Sequence, residues 1–451
     1  MLPPNKLTKT SAMERIPPEL ILEILQYAGA ILSQRVLNAL CERISVARGP
    51  SLRRERDPSK PLSAHQELDD LLHGALNFKA ALVLVCREWH KIFSPYLYSI
   101  PYVTNAHAAK VILRTVEENS GLGTCIRQII AIPAYLESWT PDFSDTIDSL
   151  VSLCPYISQL TLLRRDYSTD EAPLIKRTHY EWNHLRHLTV SSLTWESFVA
   201  YVVAIAGSSK LQSLHFHSVS GEGVDPTEAR GFLPPHRDLF SLRDLAITNA
   251  DSSCLDLLRH YRFSRLRSFT FKGDIDDLTD LSLAAFLGPD FFSLEYLSLP
   301  YSALRAHRVI LPSGSYLIRT RLRDIVLSFP YFEDAYGAPK FPRIPLHRVE
   351  TIRITGTQEP SWTLLAKSSF RTWIGGLCDK RRMPDLCQIR MDVVLGKLKK
   401  EEMEIVEPSL RRIELSLLAK KVVVEVLDDS GTKYVTLSAV LDAEMLKSMG
   451  A

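Results

Sequence analysis

The sequence contains no apolar run near the roughly 20 residues that a bilayer-spanning helix needs. Its best stretches, Ala80–Cys86 and Phe198–Ala206, are far too short. The lysines of Met1–Thr10 are not followed by an apolar segment, so no secretory leader is expected. A surplus of either charge is also missing. Lys plus Arg is 54 and Asp plus Glu is 52, a net charge of +2, which argues against a dedicated nucleic-acid binder or a membrane-surface protein. Glycine is sparse, 19 residues against 26 prolines, so many connections are stiffened rather than loosened. The seven cysteines are scattered and odd in number, as expected of reduced packing residues in a cytoplasmic or nuclear protein.

Catalytic signatures are absent as well. There is no P-loop, no G-x-S-x-G, no dinucleotide glycine fingerprint and no H-E-x-x-H. Gly221-x-Gly223 lacks the third glycine and reads as a loop. His184, His187, His215 and His217 have no cysteine or carboxylate pair beside them. Cys378 and Cys387 are too far apart for a structural zinc pair. Neither a metal nor a cofactor is expected, and the chain is read as a non-enzyme.

What remains is an ordinary globular composition, 45% hydrophobic and 24% charged. The first hundred residues read as helical. Ile16-Pro17-Pro18-Glu19-Leu20 opens a helix, with proline in the first turn and Glu19 at the positive end of the dipole. Leu20, Ile21, Ile24, Leu25 and Ala28 then form one stripe. A second helix over 80–93 carries Leu82, Val85, Cys86, Trp89, Ile92 and Phe93, and stops before Ser94-Pro95. Between them lies an insert at 29–76. It holds helical patterns at 31–46 and 63–76 around the charged, proline-bounded stretch Arg53-Arg54-Glu55-Arg56-Asp57.

Ile16-Pro17-x-Glu19-Leu20-x-x-x-Ile24-Leu25 and Leu82-x-x-Val85-Cys86-x-x-Trp89 resemble the F-box motif. The tail Pro95-x-Leu97-Tyr98 is similar to the segment after that motif in fungal, basidiomycete-like members. The resemblance implies that Ile16, Pro17, Glu19, Leu20, Ile24, Leu25, Leu82, Val85, Cys86 and Trp89 dock a Skp-type adaptor. That adaptor would tie the chain to a cullin scaffold and its ubiquitin ligase. The long insert departs from the usual short connection.

From residue 126 a second pattern takes over, apolar-x-x-apolar-x-apolar. It starts at 126, 157, 185, 211, 242, 266, 294, 322, 349, 386 and 410, a mean spacing of about 28 residues. The alternating part reads as a short strand with its apolar side inward. Helices are expected between strands at 145–153, 195–206, 253–261, 278–287 and 369–378. Such units cannot bury their apolar faces alone and must stack. The array resembles a leucine-rich-repeat solenoid, though without the usual asparagine after each strand. Val422–Val426 and Tyr434–Leu437 around Asp428-Asp429-Ser430-Gly431 predict a β-hairpin, with a helix over 439–449 closing the end.

The expected fold is therefore α/β, an F-box-like helical domain followed by an irregular leucine-rich-repeat solenoid of parallel strands with helices outside. Its parts are a disordered 1–14, the helical domain at 15–104, the solenoid at 105–420 and a cap at 421–451. The outward strand positions end in Arg353, Arg390 and Arg412, whose forks suit an acidic or phosphorylated segment; alternatively they are solvated, or paired with Glu414 and Asp392. The long loops at 219–237 and 329–345, the latter rich in aromatics, are further contact surfaces or pack back onto the array. The expected function is the substrate-recognition subunit of a Skp-cullin-F-box ligase, holding a target protein on the solenoid. The alternative is a repeat scaffold for protein binding with no ubiquitin role. No nucleic-acid or membrane partner is expected.

Overall fold

The computed structural model describes residues 97–133, 139–163, 183–205, 208–220, 239–250, 252–272, 293–300, 321–328, 348–355, 383–394, 400–427 and 433–448, with single positions at 84, 94, 286 and 374. The ten expected adaptor-docking residues, the insert at 29–76 and the aromatic-rich loop at 329–345 lie outside the described residues. Leu84, within the second expected N-terminal helix, is described and is 82% exposed. The chain divides into two compact units, Met1–Leu97 and Tyr98–Ala451.

The second unit is mixed α/β and is built on one long, open, mostly parallel sheet. Thirteen strands follow one another in space in their sequence order. They are β1 (Tyr102–Val103), β2 (Gln128–Ala131), β3 (Gln159–Leu162), β4 (His187–Thr194), β5 (Ser213–Ser220), β6 (Asp244–Ala250) and β7 (Ser268–Lys272). Then come β8 (Tyr296–Pro300), β9 (Asp324–Ser328), β10 (Thr351–Thr355), β11 (Gln388–Val394), β12 (Val423–Leu427) and β13 (Tyr434–Thr436). Each pair of neighbours is parallel except β12 and β13, which form the expected antiparallel hairpin.

The registers explain why the array holds. Leu160, Leu188, Leu214, Leu245 and Phe269 are successive register partners, and so are Leu162, Val190, Phe216, Ile247 and Phe271. All of them are buried. A two-residue period along each strand, multiplied by constant register, turns scattered apolar residues into continuous columns. Aromatic rings thicken the middle. Phe198 meets Phe216 edge-on with centroids 4.9 Å apart, and Phe269 lies 4.9 Å from Phe286.

Helices cover the inner side of these columns. The described ones are α1 (Ala106–Glu118), α2 (Ser120–Gly123), α3 (Pro141–Ser152), α4 (Trp195–Ile205), α5 (Ser252–Leu258), α6 (Lys400–Leu418) and α7 (Leu437–Ser448). Asn105 caps α1 by accepting from the Ala108 N–H at 2.7 Å. Thr140 caps α3 from the Phe143 N–H at 3.2 Å, with Pro141 in the first turn. Gly123 sits where a Cβ would lie 2.4 Å from the Leu153 carbonyl oxygen, so only glycine lets these segments approach. Ser192 and Ser218 take left-handed φ values of 55° and 58° at equivalent points of β4 and β5. The register skips this pair, a shared kink after which Leu193 and Val219 turn into the core.

Three boundaries differ from expectation. β1 belongs to the sheet, so the array begins before residue 105 and the unit boundary falls at 97/98 rather than 104. Residues 410–415 form no strand. They lie in α6, where Val406, Leu410, Ile413 and Leu417 make the buried stripe and Leu415 is 67% exposed. An i, i+3 pair is common to a helix and to the repeat pattern, and here the helical period wins. The last parallel strand is instead β12, so the hairpin continues the array as well as closing it.

Candidate functional site

The outward sheet face is set by the same registers. Gln159, His187, Ser213, Asp244, Ser268, Tyr296, Asp324, Thr351 and Gln388 are successive partners in one row. Two residues on, Thr189, His215, Ala246, Thr270, Ser298, Val326, Arg353, Arg390 and Glu425 form the next. Each row is a line of side chains about 4.8 Å apart.

The first half of this face is rich in hydroxyls and histidines, with Asp244 among them. His215 Nε2 lies 3.1 Å from Ser213 Oγ, and His217 Nδ1 lies 2.8 Å from Thr248 Oγ1. Burial, reinforced by His187 nearby, pushes the His215 imidazole down to about 4. His187 is lowered by burial and then by Arg186. These two rings are therefore uncharged at neutral pH. Among the described residues no group of three or more His, Cys, Asp or Glu side chains is placed to hold a metal ion.

The second half is charged and internally paired. Arg353 Nη2 meets Asp392 Oδ2 at 2.9 Å and Arg353 Nε meets Oδ1 at 3.0 Å, a two-pronged contact. Arg390 Nε donates to Glu425 Oε2 at 3.0 Å. The ring of Tyr434, delivered by β13, lies 5.6 Å from the Arg353 guanidinium carbon and 5.1 Å from that of Arg390. Its hydroxyl donates to Asp392. Burial lowers the Arg353 pKa, but the hydrogen bond and charge of Asp392 outweigh it and leave the guanidinium firmly charged. Burial and the neighbouring Arg353 lower the Lys272 ammonium, with Asp392 opposing. Burial is also the main reason the Tyr296 and Tyr434 phenols are raised.

Of the three arginines expected to share a strip, two do. Arg353 and Arg390 are direct register partners on β10 and β11. Arg412 is not with them. It is exposed on α6, because residue 412 falls in a helix rather than in an eleventh strand. Its neighbour Arg411 bonds Glu407 at 2.8 Å and Asp442 at 3.3 Å. Asp392 pairs as one of the two sequence alternatives has it. Glu414 is buried on α6 instead, and Glu425 takes the role. Glu425 was findable, since alternation in Val422–Val426 puts it outward. Tyr434 was not, because its place depends on the hairpin's return.

No protein-family model matches the chain, and no curated protein does. The chain is similar to a solved structure of a protein from Bacteroides fragilis, with 12% identity over 83% of this chain and 86% of that one. The TM-score is 0.34, a likeness that carries no argument about fold or role.

Proposed function

We propose that this chain is a protein-binding receptor whose second unit is an irregular leucine-rich-repeat solenoid. Its first unit acts as an F-box that docks a Skp-type adaptor within a cullin-based ubiquitin ligase. The observation that carries the binding role is the sheet itself. Twelve parallel strands in sequence order hold rows of outward polar side chains in constant register, the arrangement a repeat protein uses to present an extended surface. The adaptor role rests on the resemblance at Ile16–Leu25 and Leu82–Trp89 and on the unit boundary beyond it. In this reading the chain supplies proximity, and chemistry belongs to other subunits.

The test is a pull-down of a Skp-type adaptor with the full chain and with a Pro17→Ala, Leu20→Ala, Trp89→Ala triple variant. Capture by the wild type and loss in a variant with an unchanged circular dichroism spectrum is the expected result. No capture by folded wild type overturns the ligase reading and leaves a repeat scaffold without a ubiquitin role.

A further inference from the structure

The residues just ahead of each strand form a surface of their own. In β3 to β8 the backbone is stitched by one repeated bond. Arg186 N donates to Ser158 O, Gln212 N to Arg186 O, Arg243 N to Gln212 O, Arg267 N to Arg243 O and Glu295 N to Arg267 O, all at 2.7 or 2.8 Å. Residues sharing this bond occupy equivalent positions one strand spacing apart, about 4.8 Å. Arg186, Gln212, Arg243 and Arg267 thereby follow one another along one edge, and the three arginines are exposed. Lys210 and Arg265 occupy the positions two residues earlier in their own repeats, and both are exposed. Arg262 joins them, its carbonyl accepting from the Leu239 N–H at 3.0 Å.

Six cations thus collect at one edge of a chain whose net charge is only +2. Among the described residues two acids lie beside them, both half-buried: Glu295, the next residue of the row after Arg267, and Asp244, one residue after Arg243. The Asp244 pKa is raised by burial, with Arg243 and Arg267 opposing. Phe240, 57% exposed, lies in the same lead-in three residues before Arg243 and next to Leu239, whose N–H donates to the Arg262 carbonyl. An exposed phenylalanine on the same lead-in edge as exposed arginines offers an apolar anchor with an electrostatic rim.

We propose that this lead-in edge of β4 to β7 binds an acidic, extended segment of a partner protein that places an apolar side chain on Phe240. Arginine forks match carboxylates, and a peptide laid across the strand starts meets a cation about every strand spacing. A polypeptide fits better than a nucleic acid. The chain as a whole is nearly neutral, and the patch offers one exposed ring rather than the series of stacking platforms that single strands use. The inference needs only the array and does not depend on the adaptor reading.

The test uses the full chain and a fluorescent ten-residue glutamate peptide with one central phenylalanine, read by anisotropy. Competitors are the same peptide without phenylalanine and a single-stranded oligonucleotide of equal charge. The wild type binds at low salt and weakens as salt rises. Arg243→Glu, Arg265→Glu, Arg267→Glu together weaken binding by about 30-fold or more. That triple variant keeps its melting temperature and gains affinity for a lysine version of the peptide. Phe240→Ala, or removal of the peptide's phenylalanine, costs about fivefold. The proposal is overturned if the folded wild type does not bind at low salt, if the triple variant binds equally well, or if the oligonucleotide is the tighter ligand.

Discussion

On the outer sheet face, Arg353 and Arg390 each hold a carboxylate and share the ring of Tyr434. On the lead-in edge, Arg186, Arg243 and Arg267 stand exposed, one or two strands apart, with the half-buried Glu295 following Arg267 in the row and Asp244 one residue after Arg243. The residue type and the repeat architecture are the same in both places. What differs is the neighbour. On the face, Asp392 and Glu425 arrive opposite the arginines, 19% and 18% exposed, and convert charge into local structure. On the edge, the repeat supplies further cations. The paired arginines specify how the array closes at β11 to β13, whereas the exposed ones are available to something else.

The contrast can be attacked from several sides. The largest effect belongs to neither surface but to the core beneath them. Phe216→Ala, at a fully buried position against Phe198, should cost ~3–5 kcal/mol in denaturant unfolding, setting the scale for the rest. A melt that barely moves would mean the columns do not hold the array.

Next comes pH on the histidine-bearing half of the face. His215 titrates at about 4 when folded and near 6.5 when unfolded, so the unfolded chain takes up its proton first. Its contribution is complete above about 6.5 and is lost as pH falls toward 4, up to ~3 kcal/mol. His215→Asn should flatten that part of the stability profile relative to wild type. Identical profiles would show that the imidazole is not held neutral.

Third is the paired cluster. Asp392→Asn leaves Arg353 and the Tyr434 hydroxyl without their shared carboxylate and should cost ~1–2 kcal/mol, the partial exposure of Arg353 keeping the figure modest. The smallest effect belongs to the edge. Arg243→Gln with Arg267→Gln should change stability by less than ~0.5 kcal/mol, since neither side chain is buried. A larger loss there would make the edge structural.

The strands were legible because a constant register rewards a short repeated pattern, and nine copies from Ile157 to Leu386 each lead into a strand at the expected offset. The failure at Leu410 has a definite cause. Leu410 and Ile413 satisfy the repeat pattern, but Val406 and Leu417 extend them into a helical stripe that a six-residue window does not see. β1 is too short, at two residues, to show any period. The outward placement of Arg353 and Arg390 followed from alternation, whereas their partners needed the pairing of β11 with β12 and the return of β13. The basic edge had a signal in the sequence. Ile126-Arg127, Leu185-Arg186, Leu242-Arg243, Leu266-Arg267 and Leu322-Arg323 repeat an apolar–arginine pair at the start of the pattern. Its meaning emerges only when the backbone bonds stack those starts.

The most direct measurement sets two charge-neutralised full-length variants side by side, Arg243→Gln, Arg265→Gln, Arg267→Gln on the edge and Arg353→Gln, Arg390→Gln on the face. Each is read for its melting temperature and for binding of the phenylalanine-bearing glutamate peptide. The edge variant should lose the peptide and keep its melting temperature, while the face variant should melt earlier and still bind. The reverse pattern, with peptide binding lost at the face and stability lost at the edge, would contradict the division of roles between the two surfaces.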